Sequence, residues 1–152
     1  MKTQKTYSFL LALLFFGFIT ACTKSEIRTN KLVKQGQWVV AELKIGTNNI
    51  TSLPRWNLPT APLDNEFATG IWAHSNGSQV DFNWQFDNST GTFTFMPDPA
   101  VSTDNSDRAY VQCNNLAGTY TVLTEKKDLF EFESSEAKGY TGLVVYIRLE
   151  PQ

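Results

Sequence analysis

The chain has 152 residues, 41% apolar and 18% charged, with a formal net charge of −2. A mildly acidic chain without a basic run offers no footprint for nucleic acid and no polybasic patch for a membrane surface. A single histidine and two cysteines rule out a Cys/His zinc set and an H-E-x-x-H site, and no G-x-S-x-G elbow is present.

At the N-terminus, Lys2 and Lys5 precede an apolar run of 11 residues, Phe9 to Ile19, which leads to the small residues Thr20 and Ala21. That is the layout of a secretory signal, so residues 1–21 read as a signal peptide. The run is about half the roughly 20 residues a membrane-spanning helix needs. Residues 22–35 are polar and charged and read as a flexible tether, with order starting near Val33. Once 1–21 are removed, 131 residues remain, with eleven Lys and Arg against fifteen acids, a formal balance of −4. This is enough for one domain, residues 36–152, with a real core.

Beyond the tether, period-2 alternation bounded by Gly, Asn, Asp and Pro dominates, which predicts an all-β domain with no major helix. "GQWVVAELKIG" at 36–46 reads as the first strand. "LPRWNLPTAPLD" at 53–64 holds three prolines and is excluded from a sheet interior. Its Trp56 and Leu58 suit it to cover apolar surface as a plug or lid. Residues 67–74 are a weaker strand candidate. In "SQVDFNWQFDNSTGTFTFMPD", Val80, Phe82, Trp84 and Phe86 share one face, Gly91 turns the chain, and Phe93 and Phe95 resume that face, which predicts a β-hairpin.

"MPDPAVSTDNSD" at 96–107 is a polar loop. Its Ser102–Asp107 stretch gathers oxygen ligands without the spacing or glycine of an EF-hand, so no metal is expected. "AYVQC" at 109–113 is another weak strand candidate, with Cys113 beside Ala109 and Val111 as a small buried hydrophobe. Three alternating runs close the chain: "GTYTVL" with Tyr120 and Val122 on one face, "DLFEFES" with Phe130 and Phe132, and "TGLVVYIRLE" with Leu143, Val145, Ile147 and Leu149. The total approaches eight antiparallel strands.

Two motifs carry family resemblances. "ITAC", Ile19–Cys22, resembles the lipobox of bacterial lipoproteins. The resemblance implies cleavage before Cys22, a diacylglycerol thioether on that cysteine, an acylated (palmitate-type) amine, and tethering by two or three acyl chains. The "CTKSE" start, with no acidic residue straight after the cysteine, resembles outer-membrane lipoproteins and leaves the periplasmic and the surface face both open. "GQW" resembles the G-x-W motif of the lipocalins, in which Gly36 and Trp38 would close one end of the barrel. "FDNSTGTFTF" and "LAGTYTVL" resemble the lipocalin-like lipoproteins of Bacteroidetes-type bacteria. Together they imply an up-and-down, calycin-type barrel of about eight strands. The chain departs from that pattern by leaving no room for a C-terminal helix. Strict alternation from an inward Trp38 would also send Glu42 and Lys44 inward, so either a bulge shifts the register or the Pro-rich loop covers the outer face.

Catalytic constellations are scarce. His74 precedes a turn and reads as a solvent-facing loop histidine, no cofactor is implied, and the expectation is a non-enzyme. Two functions follow from the aromatic set. In the first, a tethered module binds a small apolar or amphipathic ligand, with Phe82, Trp84, Phe86, Phe93 and Phe95 as wall and Trp56 as gate. In the second, the rings fill the barrel, and its outer face or loops bind an envelope protein or glycan.

Overall fold

The computed structural model describes residues 24–62, 66–87, 89–100 and 107–152. The signal-peptide reading of 1–21, Cys22 and all of Ser102–Asp107 except Asp107 lie outside them. The strands are β1 (Gln37–Ile45), β2 (Asn48–Asn49), β3 (Arg55–Asn57), β4 (Ala68–Ala73), β5 (Gln79–Asp87), β6 (Thr92–Pro97), β7 (Gly118–Lys126), β8 (Leu129–Ser134) and β9 (Val145–Pro151). Two helices accompany them, α1 (Lys24–Gln35) and α2 (Arg108–Leu116).

All pairings are antiparallel. The two-residue β2 only folds back on the end of β1; the other eight strands form a ring that closes where β1 pairs β9, from Trp38↔Pro151 to Ile45↔Val145. Closure gives every strand of the ring a paired neighbour on both sides, which removes the pairing hazard of an open sheet. This is the expected lipocalin-like, calycin-type architecture.

The register problem in β1 is resolved by a bulge. Pairing with β9 shifts between Val40 and Glu42, so Trp38, Val40, Leu43 and Ile45 all face the core while Ala41 is exposed. One extra residue switches the inward set from even to odd positions.

Four expectations need correction. First, the Pro-rich segment does enter the sheet: Arg55–Asn57 lies between β1 and β4, with Trp56 opposite both Trp38 and Trp72. Proline costs a sheet only its missing N–H, and the prolines at 54 and 59 lie outside the three paired residues. Pro54 even contributes its carbonyl, which accepts from Val40 N at 3.0 Å.

Second, residues 24–35 are helical, not a loose tether, and Thr29 and Leu32 of α1 are buried. Third, "AYVQC" belongs to α2. Asp107 caps that helix by accepting from Ala109 N and Tyr110 N, and Ala109, Cys113 and Leu116 are buried at helical spacing while Val111 is only half-buried. Fourth, the last strand starts at Val145, because Gly142 turns the chain at φ 83°, leaving Leu143 and Val144 about half exposed.

Strand directions place the two helices at opposite ends. At one end lie the start of β1, the β5–β6 and β7–β8 turns and α1. At the other lie the end of β1, the β4–β5 turn, the β8–β9 loop and α2.

Candidate functional site

Alternation along the strands drives ten aromatic rings into the barrel: Trp38, Trp56, Trp72, Phe82, Trp84, Phe93, Phe95, Tyr120, Phe130 and Phe132, each essentially without solvent exposure. Trp56 is the hub. Its ring centroid lies 5.3 Å from Trp72, 5.8 Å from Phe82, 6.0 Å from Phe93, 5.5 Å from Phe95 and 6.5 Å from Phe132. Further pairs extend the cluster to both ends, with Phe93 and Phe132 at 4.8 Å, Phe95 and Tyr120 at 5.3 Å, and Trp38 and Phe130 at 5.4 Å. These separations are those of favourable stacked and edge-on pairs, each worth about 0.5–1.5 kcal/mol beyond burial.

The structure therefore brings together every aromatic residue singled out for ligand contact, but as neighbours in one packed cluster. Phe86 is the exception in depth. It is half-buried toward the α1 end, against Phe93 at 5.1 Å and Trp84 at 6.5 Å. Trp56 is not a gate on a lid: it sits at the centre of the interior on β3. Trp72 is a member that sequence reasoning passed over, although its alternation with Ala68 and Gly70 was the available signal.

The four indoles divide by their N–H groups. Trp38 Nε1 donates to the Leu32 carbonyl of α1 at 2.9 Å, and Trp72 Nε1 donates to Gln112 Oε1 of α2 at 3.2 Å. Each end helix is thus fastened to the interior by one tryptophan. Gln112 Nε2 also donates to the Ser52 carbonyl at 2.7 Å, and the Tyr120 hydroxyl donates to the Leu116 carbonyl at 2.6 Å, so α2 is tied on both flanks. Trp56 Nε1 and Trp84 Nε1 are buried without an acceptor among the described residues. A buried donor left unsatisfied costs about 1–3 kcal/mol.

The remaining titratable groups have structural explanations. Burial raises the Cys113 thiol well above its ordinary range, so it is not an activated nucleophile, and burial likewise raises Tyr120. His74 shares a surface turn with Asn76, Nδ1 and Oδ1 being 2.9 Å apart. Glu131 is held below the usual carboxylate range by hydrogen bonds from Thr124 and Tyr146 on the outer face. Among the described residues no group of three or more His, Cys, Asp or Glu side chains could hold a metal ion.

Open grooves mark the outside of the described residues. One of about 530 Å³ runs between Lys126, Asp128, Arg148 and Glu150 at the α1 end. Grooves of about 310 Å³ by Arg55 and His74 and about 270 Å³ by Met96 and Tyr110 lie at the α2 end. No family model, no curated protein and no solved structure matches the chain.

Proposed function

We infer that the protein is a lipid-anchored envelope lipoprotein, non-catalytic, whose lipocalin-type barrel binds a small apolar or amphipathic molecule. The lipobox-like "ITAC" supports attachment through Cys22, and the "CTKSE" start, with no acidic residue straight after the cysteine, supports residence at the outer membrane. The observation that carries the binding reading is the pair of buried indole donors, Trp56 Nε1 and Trp84 Nε1, inside an otherwise apolar barrel. An apolar lining with a few fixed polar groups is what orients a small amphipathic ligand. An acceptor oxygen on such a molecule would satisfy donors that the described residues leave unpaired. In this reading entry is at the α2 end, where Gln112 links Trp72 Nε1 to the Ser52 carbonyl and acts as a polar latch.

A second reading has its own observation. The rings around Trp56 touch one another and a helix lies over each end, so the barrel also works as a solid scaffold that presents its loops to a protein or glycan. Native mass spectrometry of residues 23–152, before and after challenge with an envelope lipid extract, separates the two. The binding reading expects one apolar adduct per chain, weakened in Trp84→Phe and loaded faster in Gln112→Ala. A chain that stays bare through the challenge rejects it and leaves the scaffold reading, to be pursued by pull-down from envelope extract.

A further inference from the structure

The segment between Cys22 and the barrel is short once α1 is docked. As an extended coil, residues 22–35 would reach up to about 45 Å, and a barrel on such a tether turns freely above the bilayer. Instead, 12 of these residues form α1, a rod of about 18 Å that lies across one end of the barrel. Leu32 is fully buried and its carbonyl holds Trp38 Nε1. Lys31 Nζ meets Glu125 Oε1 at 2.9 Å, Arg28 pairs with the other oxygen of the same carboxylate, and the Arg28 guanidinium also lies beside Gly91 in the β5–β6 turn. The helix thus crosses from the start of β1 to the far rim, and only Thr23 stands between Lys24 and Cys22, a span of about 7 Å of chain at most.

We propose that the α1 end of the barrel is a membrane-docking face, whose partner is the surface of the lipid bilayer that holds the acyl chains on Cys22. The proposal rests on lipidation of Cys22. The same end presents groups that suit a lipid surface. Phe67 is an exposed aromatic ring ahead of β4, and the exposed Lys34, Lys126 and Lys127 stand among the exposed Glu66 and Asp128, so the face is of mixed charge and its lysines can pair singly with headgroup phosphates. The orientation points α2, the β4–β5 turn and the β8–β9 loop away from the membrane, so soluble ligands and partners arrive at the α2 end.

The test uses the lipidated chain that starts at Cys22, in vesicles of phosphatidylethanolamine and phosphatidylglycerol, with nitroxide labels at Lys127→Cys and, separately, at Asn76→Cys in the β4–β5 turn. The native Cys113 is buried and does not compete for label. Collision with dissolved oxygen, which partitions into lipid, is compared with collision with a water-soluble nickel chelate. The label at 127 is expected to favour oxygen several-fold more than the label at 76. Glu125→Gln and Leu32→Ala, which loosen α1, are expected to narrow that contrast. Equal, fully aqueous exposure of both labels on vesicle-bound protein overturns the docked orientation while leaving the anchor intact. Protein that fails to float with the vesicles, and whose Cys22→Ala variant behaves identically, overturns the anchor and the orientation with it.

Discussion

At the scale of single residues, tight packing sets the tolerances. A Cβ built on Gly70 of β4 would fall 2.8 Å from a ring carbon of Phe82, 2.9 Å from Leu58 Cδ2 and 3.0 Å from the Asn57 carbonyl. Two of those neighbours are buried and the third is backbone, so none can yield cheaply. Gly70→Ala is therefore expected to destabilise the fold by about 1–3 kcal/mol through overpacking alone, a loss that a urea denaturation curve would register as a lower midpoint. The opposite error at the hub is costlier. Trp56→Ala removes the ring that five others touch and should cost about 3–5 kcal/mol, unless an added apolar molecule fills the space. A stability equal to wild type in either variant would show that the interior is looser than these contacts require.

Elements add what single residues cannot, because each end helix is a small amphipathic piece fastened by a few polar contacts. In α1 the fastening includes a titratable group. Partial burial raises the Glu125 carboxyl, but hydrogen bonds and charge from Lys31 and Arg28 outweigh it, leaving the group below its ordinary value of 4.5. A depressed folded-state value means the carboxylate stabilises the docked helix fully above about pH 4.5 and loses that contribution as pH falls through the lower value. Both partners are part-exposed, so the effect is modest, about 1 kcal/mol. Tryptophan fluorescence followed from pH 7 to pH 3 should report undocking in the wild type. Glu125→Gln should start from a lower stability at neutral pH and show a flatter acid dependence; an unchanged acid limb would mean that other carboxylates control the transition.

The same two helices mark where legibility stopped. The β5–β6 hairpin and β8 could be read directly, because aromatic and polar residues alternate without interruption. The bulge in β1 was legible as one of two solutions, since inward Trp38 and Leu43 conflict under strict alternation. In contrast, α1 carries only three apolar residues among its twelve, Ile27, Leu32 and Val33, too thin an apolar stripe to distinguish from a solvated coil. The five residues "AYVQC" are shorter than the span needed to separate a period of 3.6 from one of 2. Trp56 was misplaced because proline was read as excluding its whole neighbourhood from the sheet. The orphaned indole N–H groups are facts of three-dimensional packing, and no spacing in the chain announces them.

For the whole molecule, closure is the property on which the rest depends, and it is made by the last strand. β9 pairs β1 over its full length on one side and β8 on the other. It also brings Val145, Ile147 and Leu149, all fully buried, into the core. Removing residues 145–152 would forfeit about 1.5–3 kcal/mol for each of those side chains. The sum is comparable with the whole stability of an ordinary domain, about 5–15 kcal/mol. It would also leave β1 and β8 as two long unpaired edges beside an aromatic interior, the condition that invites aggregation. The truncated chain is therefore expected to lose its near-ultraviolet circular dichroism and to aggregate. A synthetic peptide of residues 144–152 added during refolding should restore a closed, soluble barrel by strand complementation. A truncated chain that stays monomeric with the native aromatic spectrum would show instead that the ring cluster around Trp56 holds the sheet curved without closure. Such an opened but stable barrel would expose the Trp56 and Trp84 donors laterally, and lateral entry would then replace the α2 end as the route to the interior.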